Sequence, residues 1–125
     1  MFLIDTNIFL EILLKQDKRK KCKKFLDENT RNLYIADFSL HSIGVILFRY
    51  NKADIFQKFI EDFIINVRLL SLPKELYEEV VLAKKYFKLD FDDAYHYAVA
   101  KYYELKVVTM DRDFEVIKDI EILFL

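Results

Sequence analysis

Short, unbroken apolar runs alternate along this chain with longer stretches in which apolar residues recur every three or four positions. The first pattern suits a strand buried on both faces, and the second suits one side of a helix. Phe2-Leu3-Ile4 is the first run, and it stops at Asp5. Ile8, Phe9, Ile12 and Leu13 follow at helical spacing, and Asp17 is placed to cap a second, mostly charged helix through Glu28. Leu33-Tyr34-Ile35-Ala36 reads as a second strand, with Ser39 as the N-cap of a helix carrying Ile43, Ile46 and Leu47. A helix starting near Asp54 carries the stripe Ile55, Phe56, Phe59, Ile60 and Phe63. Val67 to Leu72 is the third predicted strand, and Pro73 suits the first turn of a helix running to Lys88. Asp90 or Asp92 caps the next helix, through Glu104, whose Ala94 and Ala98 form a small-residue face. Val107-Val108-Thr109 is a fourth strand, followed by a turn and short helix from Asp111, and Glu121 to Phe124 is a fifth.

Strands separated by helical stretches of ten or more residues pair in parallel through crossovers. The predicted fold class is therefore α/β: one domain with a central, mostly parallel sheet of four or five strands, flanked by helices on both faces. A length of 125 residues fits one core, and no repeat or Ser/Gly/Pro linker divides it. A single Gly and a single Pro argue against an all-β fold, which needs many tight reversals.

Charge narrows the function. Twenty basic against 21 acidic residues leave a formal charge of −1, which argues against coating nucleic acid by bulk charge and leaves room for a local basic patch. Lys18-Arg19-Lys20-Lys21 with Lys23 and Lys24 is the densest such patch: a solvated helix face or a cradle for an RNA backbone. One cysteine, Cys22, excludes an intrachain disulfide and fits a reducing compartment. Apolar runs such as Ile43 to Phe48 are too short to cross a bilayer, and the amino terminus does not read as a signal peptide, so a cytoplasmic protein without a membrane partner is expected.

The candidate chemistry lies in the carboxylates. In an open parallel sheet, ligands bind beyond the carboxyl ends of the strands where strand order reverses. Asp5 follows strand one and Asp111 follows strand four, so both share a rim if those strands are neighbours. Asp93 in the first turn of its helix and Asp113 can join them. Each has an ordinary alternative: Asp5 as a helix cap, Asp93 as a first-turn acid, Asp111 and Asp113 as turn residues. Together at one rim they repel, by about 4 kcal/mol for two charges 4 Å apart at an effective dielectric of 20. A divalent cation removes that cost, and an oxygen-only donor set points to Mg²⁺ or Mn²⁺. Such an ion suits attack of water on a phosphodiester.

These segments resemble the PIN-domain family of small metal-dependent nucleases, which includes VapC-type toxins. Phe2-Leu3-Ile4-Asp5-Thr6-Asn7-Ile8 looks like the family's first motif. Leu89-Asp90-Phe91-Asp92-Asp93-Ala94 with Ala98 and Ala100 resembles its third, and Val107-Val108-Thr109-Met110-Asp111-Arg112-Asp113-Phe114 its fourth. The resemblance implies one PIN-like nuclease domain over residues 1–125. Asp5, Asp93, Asp111 and Asp113 would be its catalytic, metal-binding acids, and Thr6 and Thr109 hydroxyls steadying the rim. It also implies an endoribonuclease acting on single-stranded RNA, a homodimer, and a small antitoxin seated in a groove between helices near residues 8–26 and 55–63.

The second motif departs from the pattern. The family carries a Glu three residues after a Ser or Thr cap, and here Ser42 stands three after Ser39. Ser42 holding a water, His41 facing the phosphate, or Asp37 swinging in are the available substitutes. The departure supports an alternative: a catalytically weak PIN-like module that binds RNA or protein. A phosphate-transfer domain is a third reading, opposed by Asn7 where a phosphatase needs a second Asp. His96, three residues after Asp93, is expected at the surface or an interface, and the tyrosines around it in core or interface packing.

Overall fold

The computed structural model describes residues 1–125. Five strands form one sheet in the order β3-β2-β1-β4-β5. They are β1 (Phe2–Ile4), β2 (Leu33–Ala36), β3 (Arg68–Leu70), β4 (Lys106–Thr109) and β5 (Ile122–Phe124). Every pairing is parallel, so the sheet is wholly rather than mostly parallel. Six α-helices connect them: α1 (Thr6–Leu13), α2 (Arg19–Glu28), α3 (Asp37–Arg49), α4 (Ala53–Asp62), α5 (Tyr77–Phe87) and α6 (Phe91–Tyr103). None is long and apolar enough to cross a membrane.

Successive residues of a buried strand point to opposite faces, and the core divides accordingly. Leu3, Ala36 and Val107 pack under α5 and α6 with Val80, Ala83, Ala94, Tyr95 and Ala98. Ile4, Ile35 and Val108 pack on the other face with Ile8, Phe9, Ile43, Leu47 and Phe59 from α1, α3 and α4. Each fully buried Val, Leu, Ile or Phe among them contributes about 1.5–3 kcal/mol, and each Ala methyl well under that. The small-residue face of α6 is here the surface that lets it lie close on the sheet, and Tyr95 and Tyr97 are core residues.

Helix ends moved most from expectation. Lys18, not Asp17, is the N-cap of α2. Ala36, the last residue of β2, is the N-cap of α3, so Asp37 takes the first turn and Ser39 lies inside the helix, fully buried. Pro73 precedes a single 3-10 turn (Lys74–Leu76), and α5 proper begins at Tyr77. Asp90, not Asp92, is the N-cap of α6, and the third strand is confined to Arg68–Leu70.

With one glycine in the chain, left-handed backbone positions fall to other residues. Lys15, Asn51, Lys88 and Glu104 have φ of 54°, 56°, 62° and 56°. Glu104 ends α6 in this conformation, where a Cβ costs roughly 1–2 kcal/mol. Glu104→Gly is therefore expected to raise stability by about 1 kcal/mol in a denaturant titration, with the midpoint moving and the slope unchanged. A lower midpoint would show that the Glu side chain makes a compensating contact.

Candidate functional site

The order β3-β2-β1-β4-β5 reverses between β1 and β4, which pair directly through Phe2 with Lys106, Leu3 with Val107 and Ile4 with Val108. β1 leads onward through α1 and β4 through the 3-10 turn Arg112–Val116, so the two chains diverge and open a crevice. A cavity of about 430 Å³ lies there, with Asp5, Asp93 and Asp111 in its wall together with Thr6, Asn7 and Ser42.

Asp5 occupies the N-cap position of α1, with φ −68° and ψ 149°, but its side chain makes no capping bond. Its Oδ2 instead accepts a 2.7 Å hydrogen bond from the Thr109 hydroxyl, whose oxygen accepts from the Asp111 N–H at 2.9 Å. Thr109 thus ties the ends of β1 and β4 together, steadying the rim as expected. Asp93 lies in the first turn of α6 and is buried, only 4% exposed. Its carboxylate therefore meets solvent only through the cavity it lines. Asp111 caps the following 3-10 turn, its Oδ1 accepting from the Asp113 N–H at 2.9 Å. That is an ordinary turn role, and it leaves the second carboxylate oxygen uncommitted.

One carboxylate oxygen from each of Asp93, Asp111 and Asp113 lies within 4.8 Å of the other two. Asp5 lines the same cavity but stands outside this tight cluster. No lysine, arginine or histidine pairs with any of the four within 4.0 Å. Burial, then repulsion from Asp92, Asp5, Asp111 and Asp113, pushes the Asp93 carboxyl up to about 8. Burial also raises Asp5, against the pull of the His96 imidazole and the Thr109 hydroxyl.

Both acids hold a proton in the fold at pH values where the unfolded chain has released it. Stability of the metal-free protein is then highest in mild acid and falls as pH rises toward 8. We expect its melting temperature to drop by about 5–10 °C between pH 5 and pH 8, and millimolar Mg²⁺ to recover most of that loss. A pH-independent melting temperature in scanning calorimetry would mean that the carboxylates are already compensated.

The donors present fit a hard divalent cation. All are oxygens, and Asn7 Oδ1 is the one buried side-chain oxygen or nitrogen in the protein without a hydrogen-bond partner. It belongs to a residue of the acidic cavity, where a water or cation would satisfy it. Among the substitutes for the missing Glu, only Ser42 lines the cavity. His41 is exposed, and Asp37 Oδ1 is held by the Tyr95 hydroxyl at 2.7 Å and the Phe38 N–H at 2.8 Å.

Sequence reasoning misplaced His96 and passed over Asp92 as anything but a cap. His96 is fully buried rather than at a surface, because it sits on the face of α6 that meets α3. Asp92 is exposed and lines the cavity beside Asp93. The pair Asp92-Asp93 was the available signal.

The model of the PIN domain matches residues 2–120. This chain belongs to the PIN-domain family. Among solved structures, this PIN domain resembles FitAcB from Neisseria gonorrhoeae, with a TM-score of 0.82 at 20% identity over 98% of this chain and 96% of that one. VapBC2 from Rickettsia felis, bound to a DNA fragment from its promoter, gives 0.78 at 14% identity over 99% and 98%. VapC20 from Mycobacterium tuberculosis, a sarcin-ricin loop cleaving toxin, gives 0.78 at 15% identity over 92% and 93%. At these identities the likeness is one of fold. No curated protein matches the sequence.

Proposed function

We propose that this PIN domain is a Mg²⁺- or Mn²⁺-dependent endoribonuclease that cuts single-stranded RNA, the toxin of a toxin–antitoxin pair. The reading is carried by the cluster of Asp93, Asp111 and Asp113 carboxylates, with Asp5 alongside and no cationic side chain in pairing distance. These four acids would hold the metal. When bound, a divalent cation supplies Lewis-acid polarisation of the phosphate and a more acidic water. Asp5, with one oxygen fixed by Thr109, presents the other to orient the attacking water. The Thr109 hydroxyl fixes the Asp5 carboxylate and the Asp113 N–H fixes that of Asp111, so each acid is held in place beside the other.

The basic patch supports RNA as the substrate. Cys22 Sγ lies 3.8 Å from Met110 Sδ, which sets the first turns of α2 beside the residue preceding Asp111. Lys23 and Lys24 are paired with Asp27 and Glu28, whereas Lys18, Arg19, Lys20 and Lys21 pair with no carboxylate. The uncompensated cations thus stand at the end of the helix nearer the cavity, where they favour an approaching polyanion. An antitoxin has a groove of about 620 Å³ to occupy, walled by Phe9, Ile12, Leu13, Ile55, Phe59 and Phe63. A structural neighbour from Klebsiella pneumoniae, 21% identical, is a toxin–antitoxin complex, which supports such a partner. A homodimer belongs to the same proposal.

Ser42 in the cavity wall favours the second reading, a module that binds RNA and cuts it weakly or not at all. Incubating purified protein with single-stranded RNA and Mn²⁺ tests both. Cleavage that EDTA abolishes supports the enzyme, and Ser42→Glu is then expected to tighten Mn²⁺ binding about tenfold in calorimetry. Binding without cleavage at any Mn²⁺ concentration supports the module.

A further inference from the structure

His96 is fully buried, ionisable, and absent from the cavity wall. Burying a polar ring costs free energy unless its nitrogens are satisfied, and both are. Nε2 lies 2.7 Å from the Ser39 hydroxyl, which lies 2.8 Å from the Thr6 hydroxyl. Nδ1 lies 2.7 Å from the Asp92 carbonyl oxygen, and because a carbonyl only accepts, Nδ1 donates. This chain joins α1, α3 and α6 through side chains that fall on none of the acids themselves.

Its two ends are informative. Thr6 stands between Asp5 and the unpartnered Asn7, on one wall of the cavity. Asp92 stands next to Asp93, on the opposite turn. The line from Thr6 through Ser39 and His96 to Asp92 therefore spans the two turns that must hold their separation for one cation to reach both. Nothing else polar does this: Thr109 links Asp5 to Asp111 but makes no bond to α6.

We propose that His96 is a positioning residue for the metal centre, setting the distance between the Asp5–Asn7 turn and the Asp92–Asp93 turn through Ser39 and Thr6. The inference rests on the metal-binding reading above. Groups that orient metal ligands in this way typically change affinity by 10–100-fold when removed.

The test is Mn²⁺ calorimetry on the full chain, with the melting temperature of the metal-free protein measured in parallel. His96→Leu, which fills the space without bonding, is expected to weaken Mn²⁺ binding at least tenfold. His96→Gln, which keeps an amide in reach of Ser39, should stay within about threefold of the parent. Thr6→Val should lose a similar factor, and combining it with His96→Leu should cost little more, because both cut one chain. If His96→Leu is unfolded, Ser39→Ala breaks the same line and is read in its place. A folded His96→Leu or Ser39→Ala protein with parental Mn²⁺ affinity overturns the role of His96. A parent that binds no Mn²⁺ overturns the metal centre itself, which separates the two failures.

Discussion

Asp93→Asn is expected to abolish Mn²⁺-dependent RNA cleavage while raising the melting temperature of the metal-free protein. The two effects share one cause. Asp93 is 4% exposed, and its oxygen lies within 4.8 Å of those of Asp111 and Asp113. Two charges at that distance repel by about 3–4 kcal/mol at an effective dielectric of 20, and burial adds to the cost. Asn keeps the shape and removes the charge. Cleavage should fall at least about 1000-fold, equivalent to roughly 4 kcal/mol of transition-state stabilisation. With the carboxyl held up to about 8 against 3.8 in the unfolded chain, the destabilisation builds as pH rises between those values, so the gain should be largest above pH 8, about 3–6 °C, and vanish below about pH 4. Paired cleavage assays and calorimetry check both arms. Retained cleavage would remove Asp93 from the site, and a melting temperature lowered at every pH would mean that its charge is compensated in the fold.

Phe114→Ala should carry the largest stability cost of any change near the site. Phe114 is fully buried beneath the 3-10 turn Arg112–Val116, in the cluster formed with Leu3, Val107 and Tyr97. Its N–H bonds the Asp111 carbonyl at 3.3 Å, so the ring anchors the short turn that presents Asp111 and Asp113. Truncation to Ala is expected to cost about 3–5 kcal/mol in urea unfolding. Mn²⁺ affinity should fall as well, because small displacements of fixed ligands are expensive. Phe114→Leu, which keeps most of the volume, should cost under about 1.5 kcal/mol and retain the metal. Parental Mn²⁺ affinity in a folded Phe114→Ala protein would show that the turn is held by its own hydrogen bonds.

Local chemistry had opposite success at the two kinds of boundary. The ends of β1 and β4 were legible because their apolar runs, buried on both faces, stop at Asp5 and Thr109, whereas the half-exposed third strand is shorter than its apolar run. Helix starts were less legible, because capping residues are abundant and a cap is chosen by where the strand ends. Ser39 has the right chemistry for a cap, but Ala36 already closes β2 and Asp37 enters the helix, which frees Ser39 for His96 and Thr6. His96 was misjudged for a related reason. A lone histidine on a helix offers no local sign of whether hydroxyls from two other helices will satisfy it.

The sequence by itself determined the α/β class and the parallel pairing and singled out the four acids as candidates, since apolar period, strand ends and helix first turns follow from burial and backbone geometry alone. Only the tertiary structure decided that β1 and β4 are neighbours, and hence that Asp5 and Asp111, more than a hundred residues apart, share one crevice. It also decided that Asp93 is buried among its own kind, that Ser42 and not His41 or Asp37 faces the cavity, and that His96 braces two of its walls. Each of these is a long-range contact, whose partners are set by strand order and helix packing and leave no mark on neighbouring residues.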